Sequence, residues 1–557
     1  MIRDLTPRGH RRAWQRGAAV VAATSLLALA ACSSDGGEED GAGSENTEGS
    51  MTGFAADQQF KATEPMDFSI LWTDWPELPI KDSWKLFDEI EKRTNVTLEP
   101  TNIPFSDATE KRSLLISAGD APDIIPLVYT GEDAPFVSSG AVLPMSDYVD
   151  LMPNFQKYVE EWDLGEMIDN LRQDDGKYYM VPGLQEVSVP VFSMIIRKDV
   201  FDEVGAPVPE TWDELRSALE KIKAEHPDSY PLADGFEGQS MLNYAAHAFS
   251  TVAGWGFGNG TFWDEDAGEF TYAATSDGYK EMVEYFHGLV EDGLLDPESL
   301  TAKSDGSTAD LSEKVANGAV FAASGAAGTV EEFRTALKAA DPDAEFELVQ
   351  IAPPGGPAGQ VVEPRNFWHG FMISAEAKDD PHFVAMVQFL DWLYYSPDAR
   401  EMLRWGIEGE TYTKDADGTI TIDPDYSLDA YNINPDGKTD LQKDLGFSTF
   451  LAESTESRAL KESYNSDQFV EYMDTVLSTR TPRDPFPPAP LDDAELEQAS
   501  LLSTPLKDTV DTNTLKFILG DRPLDEWDAY VGELEGQNLQ GYLDLINGAQ
   551  QRFAEKN

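Results

Sequence analysis

The sequence predicts an α/β fold with a parallel core, spread over more than one folding unit and followed by a helix-rich C-terminal region. Three observations carry this. Apolar strand patterns alternate with amphipathic helix patterns from residue 66 to residue 128, the pattern of a layered α/β sheet. The chain has 557 residues, against about 100–200 for a typical domain. Hydrophobic residues make up 41% and aromatics 11%, enough apolar surface to fill large cores rather than leave the chain disordered.

The elements follow in order. "MDFSILW" (66–72) reads as a first strand. "SWKLFDEIEKRT" places Trp84, Phe87 and Ile90 on one helical face. "NVTLEPTNI" is a second strand, "DATEKRSLLISAG" a second helix and "PDIIPLV" a third, buried strand. "VPVFSMIIRKDVFDEVG" (189–205) reads as a long apolar strand running into a turn. Thr211 and Glu214 have capping-box spacing. The helix they open carries Trp212, Leu215, Leu219 and Ile222 as a buried stripe. A helix near 276–291 buries Met282, Phe286 and Leu289, and "ANGAVFAASG" holds a short strand. "EFELVQIAPPGGPAGQ" is a strand ending in a Pro/Gly loop, and "FMISAEAKDDPHFVAMVQFLDWLYYS" a strand, a turn and a long helix. Ser396-Pro397 opens the next helix. Beyond it the chain reads as mostly helical, with a Pro-rich break at 481–490 and no internal repeat.

The N-terminus has its own logic. Arg3, Arg8, Arg11, Arg12 and Arg16 precede the apolar run "GAAVVAATSLLALAAC". That run is shorter than the roughly 20 residues of a membrane-spanning helix and reads as a secretory signal. It ends at Cys32, the single cysteine of the chain, so no internal disulfide can form. Leu29-Ala30-Ala31-Cys32 resembles the bacterial lipobox, which implies cleavage before Cys32 and lipidation of its thiol. Residues 1–31 are thus expected to be a lipoprotein-type signal peptide. Residues 32–64, rich in Gly, Ser and acids, are expected to form a flexible tether.

With 102 acidic and 41 basic side chains the net charge is −61. Such a chain repels nucleic acids and anionic membrane surfaces, so nucleic-acid binding is excluded. There is no G-x-S-x-G, no H-E-x-x-H and no Gly-rich phosphate loop with Lys. Of the six histidines, His10 leaves with the signal and the other five show no metal spacing. No cofactor and no metal are expected. "KDADGTITID" (414–423) lacks a full set of calcium ligands and reads as an Asp-Gly hairpin.

The order of segments resembles the extracellular solute-binding proteins of ATP-driven (ABC) bacterial importers, in their maltose-binding-like, oligosaccharide-type branch. The resemblance rests on "ISAGDAPDIIPLV", "IIRKDVFDEVGAPVPETWDELRSALEKI", "ANGAVFAASGAAG", "LDWLYYSPDAREMLRWGIEGETYT" and "FILGDRPLDEWDAYVGELE". It spans about residues 65–550. The acidic calcium loop of some relatives is replaced here by "KAEHPDSYPLADGF", so a calcium site is not carried over. The resemblance implies a two-lobe periplasmic-binding-protein-like fold with a hinge and an interlobe ligand cleft. Lobe 1 would be 65–188 plus 343–377, and lobe 2 would be 189–342 plus 378–557. It also implies a carbohydrate ligand, ABC permease subunits as partners, a lipid-anchored location on the extracellular face of the cell membrane, and a monomer without catalytic activity. A surface-anchored polysaccharide-active enzyme and a solute sensor remain alternatives.

A sugar site needs aromatic plates for C–H faces and planar polar groups for hydroxyls. Candidates are Trp72, Asp74 and Trp75 after the first strand, Tyr129 after the third, Gln239 and Trp255, Arg365 and Trp368 in "EPRNFWHGF", and Glu408 in "GIEGETY". Trp84, Trp212 and Trp392 fall on helical stripes and are assigned to core. Trp72 fits core and cleft equally. Glu408 could instead cap a helix or pair with Arg404, and Arg365 could bind an acidic sugar or a surface acid.

Overall fold

The computed structural model describes residues 46–302 and 309–556. The expected signal peptide, Cys32 and the first part of the expected tether lie outside the described residues. In chain order the strands that matter are β1 (Met66–Asp74), β2 (Val96–Pro104), β3 (Ile124–Val128), β4 (Val181–Gly183), β5 (Ser193–Arg197), β6 (Leu232–Ala233), β7 (Thr261–Asp264), β8 (Glu269–Tyr272), β9 (Ala322–Gly325), β10 (Leu348–Ile351), β11 (Val361–Val362) and β12 (Trp368–Ile373). They build two principal sheets, one per lobe. The first has the order β2-β1-β3-β12-β4 and the second β10-β5-β9-β6. Strands β7 and β8 form a separate hairpin.

The first sheet is mixed rather than wholly parallel. β1 runs parallel to β2 and β3, whereas β12 lies antiparallel to β3 and β4. β2 tolerates Pro100 because it is the edge strand, where a missing N–H breaks no ladder. β12 approaches β4 closely at Gly370, where a Cβ would lie 1.8 Å from the Val181 carbonyl oxygen, so only glycine fits this irregular pairing. Every residue of the helix Phe383–Tyr395 is buried in this lobe's core. A helix apolar on all faces has no other stable place in a water-soluble body. Its one acid, Asp391, accepts hydrogen bonds from Asn154 N, Asn154 Nδ2 and Phe155 N at 3.0, 2.7 and 2.9 Å. It thereby serves the N-terminal amides of the neighbouring helix Pro153–Glu161. Burial pushes its carboxyl pKa up to about 7 against those bonds.

The second lobe packs helices Trp212–Glu225, Gln239–Ala248, Asp277–Glu291 and Asp493–Leu519 into one core with β5 and its neighbours. Trp212, Met282, Phe286 and Leu289 sit inside it, as their spacing predicts. Thr211 Oγ1 accepts from Glu214 N at 3.2 Å, while Glu214 reaches back to Glu210 N at 2.8 Å, one residue beyond the expected box. Pro397 opens its helix, but the Ser396 side chain caps no backbone N–H. The segment 189–205 is a short strand followed by the helix Lys198–Glu203, not one long strand.

The chain passes between the lobes three times. It leaves the first after β4, returns between β11 and β12, and leaves again between the helices Arg458–Tyr464 and Asp467–Thr479. This third passage alters the expected boundaries. β10 belongs to the second sheet through its pairing with β5, not to lobe 1. Residues from Phe383 to Tyr464 share the first lobe's core rather than the second's, because the all-apolar helix packs against β1 through Phe68–Phe389 and against β12 through Phe371–Tyr394.

The tether is also shorter than its composition suggests. Residues 46–64 lie along the first lobe: Val384 N donates to the Asn46 carbonyl at 3.0 Å, and Met51 N to Gln388 Oε1 at 2.9 Å. Phe60 is fully buried against Phe54 and Phe389. Burying one such phenylalanine contributes about 1.5–3 kcal/mol, enough to dock a polar segment.

Candidate ligand-binding cleft

A cavity of about 300 Å³ opens where the three passages meet. The first passage contributes Gln185, Val187, Ser188, Val189 and Val191, and the second Glu363, Pro364 and Asn366 to Trp368. The first lobe adds Tyr129, Tyr431, Glu453, Glu456, Lys461 and Tyr464, and the second adds Ala326, Ala327 and Gly328 at the start of the helix Ala327–Ala340 that follows β9. The third passage supplies Asn465, and the helix Asp467–Thr479 that follows it supplies Phe469 and Met473.

Each wall has a local cause. Trp368 is the first residue of β12, and Tyr129 directly follows β3, so strand pairing brings their rings together at 6.0 Å and 82°. An edge-to-face pair leaves one ring face available for a ligand. The passages are pinned by polar bonds. Tyr472 Oη donates to the Pro190 carbonyl at 2.7 Å, and Arg480 Nε to the Pro353 carbonyl at 2.7 Å. Lys461 Nζ donates to Gln185 Oε1 at 2.6 Å and Tyr464 Oη to Glu456 Oε1 at 2.6 Å. Burial raises the carboxyl pKa of Glu363 to about 7, partly opposed by a hydrogen bond from Asn243. Burial likewise raises that of Glu453, partly opposed by the Arg404 charge.

Two lobes, three crossings and a polar, aromatic cavity at the crossing point describe a hinge-type binding fold. Residues 79–399 match the bacterial extracellular solute-binding protein family. This chain belongs to that family.

Other solute-binding proteins align over much of it. It is 29% identical over 296 residues to the fructooligosaccharide ABC transporter substrate-binding protein FusA of Streptococcus pneumoniae, covering 50% of this chain and 52% of FusA. It is 24% identical over 349 residues to the polygalacturonan/rhamnogalacturonan-binding protein YtcQ of Bacillus subtilis, covering 62% and 66%. The aligned region thus spans about half to two thirds of these relatives' lengths. Among solved structures, the alginate-binding protein AlgQ2 without calcium ion superposes with a TM-score of 0.67 at 17% identity, covering 88% of this chain and 99% of AlgQ2. FusA of S. pneumoniae in complex with kestose gives 0.64 at 19%, covering 88% and 100%. These likenesses establish the two-lobe α/β fold.

The solute-binding fold brings together some of the expected site residues and separates others. Tyr129, 44% exposed, and Trp368 line the cavity. Trp255, 48% exposed, stands on the second lobe with Phe192 and Phe236 edge-on at 5.0 and 5.3 Å. Phe192 follows Val191 of the cavity wall in sequence, but none of these three rings lines the cavity itself. Gly254 makes the placement of Trp255 possible: φ is +55° and a Cβ would meet the Gln239 carbonyl oxygen at 2.0 Å.

The remaining candidates do not line the cavity. Trp72 is core, held between Trp84, Phe87 and Phe450. Asp74 closes a loop by accepting from Ile80 N at 3.1 Å. Trp75 stacks on Phe105 at 5.3 Å. Gln239 starts the helix Gln239–Ala248. Glu408 is exposed and bridges to Tyr412, while Arg404 pairs with Glu456 instead. Arg365 donates to the carbonyls of Trp162, Gln185 and Glu186 at 3.1, 2.9 and 3.0 Å. It therefore ties two passages together and has little left for an acidic ligand.

Among the described residues one trio of possible metal ligands comes together, Glu48, Glu64 and His382, and none of them lines the cavity. "KDADGTITID" is the hairpin Tyr412–Lys414 and Ile420–Ile422, with Asp415 Oδ1 accepting from Asp417 N and Thr419 N at 3.0 Å.

Proposed function

We propose that this protein is the membrane-anchored extracellular substrate-binding subunit of an ABC importer, capturing an oligosaccharide by closure of its two lobes. The observation that carries the reading is the cavity itself. It lies where all three passages cross, and it offers the Tyr129–Trp368 ring pair beside carboxylate and amide groups, the combination that sugars require. Relatives support it: FusA carries a fructooligosaccharide-binding name and YtcQ a polygalacturonan one. Capture shifts the lobes toward the closed state by the ligand's differential affinity for that state, and closure distinguishes loaded from empty protein for the permease. Cys32 would carry the lipid, and residues 33–45 would span from membrane to body. The protein binds as a monomer and releases its ligand unaltered.

The test is a thermal-shift screen of residues 33–557 against oligosaccharides. The chain should begin before residue 46, because a start at 65 would strip Phe54 and Phe60 from the first lobe. A ligand at 100 times its Kd adds about 2.7 kcal/mol of stability. No shift with any carbohydrate, or release of shortened sugars during incubation, would overturn the reading.

A further inference from the structure

We propose that the cleft selects uncharged, hydroxyl-rich oligosaccharides and rejects polyuronates, an inference that rests on the sugar-binding reading above. Its basis is the charge inventory of the cavity wall. Three carboxylates, Glu363, Glu453 and Glu456, stand there against one ammonium, Lys461. That ammonium is already engaged, donating to Gln185 Oε1 at 2.6 Å and lying 3.6 Å from Glu456 Oε2. The guanidinium groups around the cleft are engaged too. Arg404 is wholly buried and pairs with Glu456 at 3.0 Å. Arg400, also buried, donates to the carbonyls of Thr455, Leu451 and Ala452 at 2.8, 2.6 and 2.6 Å. Arg365 is bound to three further carbonyls.

Glu456 is thus neutralised from two sides, and Glu363 and Glu453 are left over. Glu363 has the hydrogen bond from Asn243. Glu453 is half-buried and hydrogen-bonds to no group among the described residues. Open carboxylate oxygens are strong acceptors for sugar hydroxyls. A uronate carboxylate would enter the same poorly solvated space as two other carboxyl groups, with no free cation among the described residues lining the cavity to meet it. Recognition of carboxylates relies on Arg or Lys forks, and like-charge juxtaposition is how a site rejects a near-cognate ligand. Burial raises the carboxyl pKa of both Glu363 and Glu453, and this poor solvation is what makes a further negative charge costly there.

The experiment is calorimetric titration of residues 33–557 at pH 7.5. The probes are neutral fructo-, gluco-, manno- and galacto-oligosaccharides, an oligogalacturonate of matched length and a chitosan oligomer. At least one neutral series should bind, with oligogalacturonate at least tenfold weaker, and E453Q and E363Q should narrow that gap. Oligogalacturonate binding as tightly as every neutral sugar would overturn the selectivity and leave the sugar-binding reading intact. Chitosan binding tenfold tighter than any neutral sugar would also overturn it, in favour of a cationic glycan. A gap unchanged in both variants would overturn its electrostatic cause. Absence of binding to every probe would overturn the sugar-binding reading and this inference with it.

Discussion

Arg404 and Glu456 form a buried ion pair at 3.0 Å, with the guanidinium 3.9 Å from the centre of the Tyr464 ring. The pair joins the helix Pro397–Trp405 to a segment that also bridges the first passage, since Glu186 N donates to the Glu456 carbonyl at 3.1 Å. Glu456 therefore holds one wall of the cleft to the hinge. Removing it leaves a guanidinium buried without its charge partner, a change that costs about 3–5 kcal/mol. Glu456→Ala should lower the chemical denaturation midpoint accordingly, and Glu456→Gln, which keeps a hydrogen-bond acceptor, by less. An alanine variant as stable as the parent would show that the pair is not needed.

The aromatic residues divide into two experimental classes. Trp255→Ala and Trp368→Ala should each weaken oligosaccharide binding by about 1–3 kcal/mol while leaving the fold intact. Trp72→Ala should instead destabilise the first lobe by about 3–5 kcal/mol, as a core tryptophan does. Unchanged affinity in a titration would remove either tryptophan from the site.

Arg365 is predicted to act on geometry, not on ligand charge. A lysine cannot reproduce its planar set of donors, so Arg365→Lys should weaken binding of neutral sugars and leave the discrimination against uronates unchanged. A change in that discrimination would return Arg365 to the ligand site.

His369 sets a pH signature. It is buried, both ring nitrogens lack hydrogen bonds among the described residues, and burial, aided by the Arg400 charge, lowers its pKa to about 3. Unfolded, it titrates near 6.5. As pH falls through 6.5 the unfolded chain takes up a proton that the native side chain refuses. Its stabilising contribution is therefore complete above that value and lost toward pH 3, reaching about 2 kcal/mol by pH 5. The stability difference between parent and His369→Phe should shift in favour of the variant by that amount between pH 7.5 and 5, measured by denaturant titration. A pH-independent difference would refute this account.

Cys32→Ser should move the protein from the membrane fraction to the soluble fraction of the cells that secrete it. Continued membrane association would mean that the thiol carries no anchor.

Much of the architecture is legible in local patterns. Strands β1 to β3 and the helices around Trp212 and Met282 follow from apolar periodicity, which records local burial directly. What periodicity does not record is which distant segments share a core. The all-apolar helix Phe383–Tyr395 would fit either lobe, and only the packed structure places it against the first sheet. The tether shows the same limit, since Phe54 and Phe60 alone outweigh an otherwise polar, acidic composition. At the cleft, Tyr129 and Trp368 were accessible to sequence reasoning because both sit at strand ends. Glu453 and Glu456 were not. Their role comes from lying opposite Arg404 and the first passage, a relation across the chain that no spacing motif encodes. Glu363 was nearer to hand, in the same short stretch as Arg365 and Trp368.

The pairing of β12 with β3 sets Ile373 beside Ile124, and β10 likewise pairs with β5 only after the intervening elements are made. Neither lobe can close its sheet from its first segment alone, and the second also waits for the helix Asp493–Leu519. Such high contact order makes folding slow, and domains split in this way complete late in synthesis. For the secretory leader expected at the N-terminus this would be an advantage. A chain threaded through a translocation pore must arrive unfolded, and a topology that completes both sheets only with late segments would postpone collapse during such a passage.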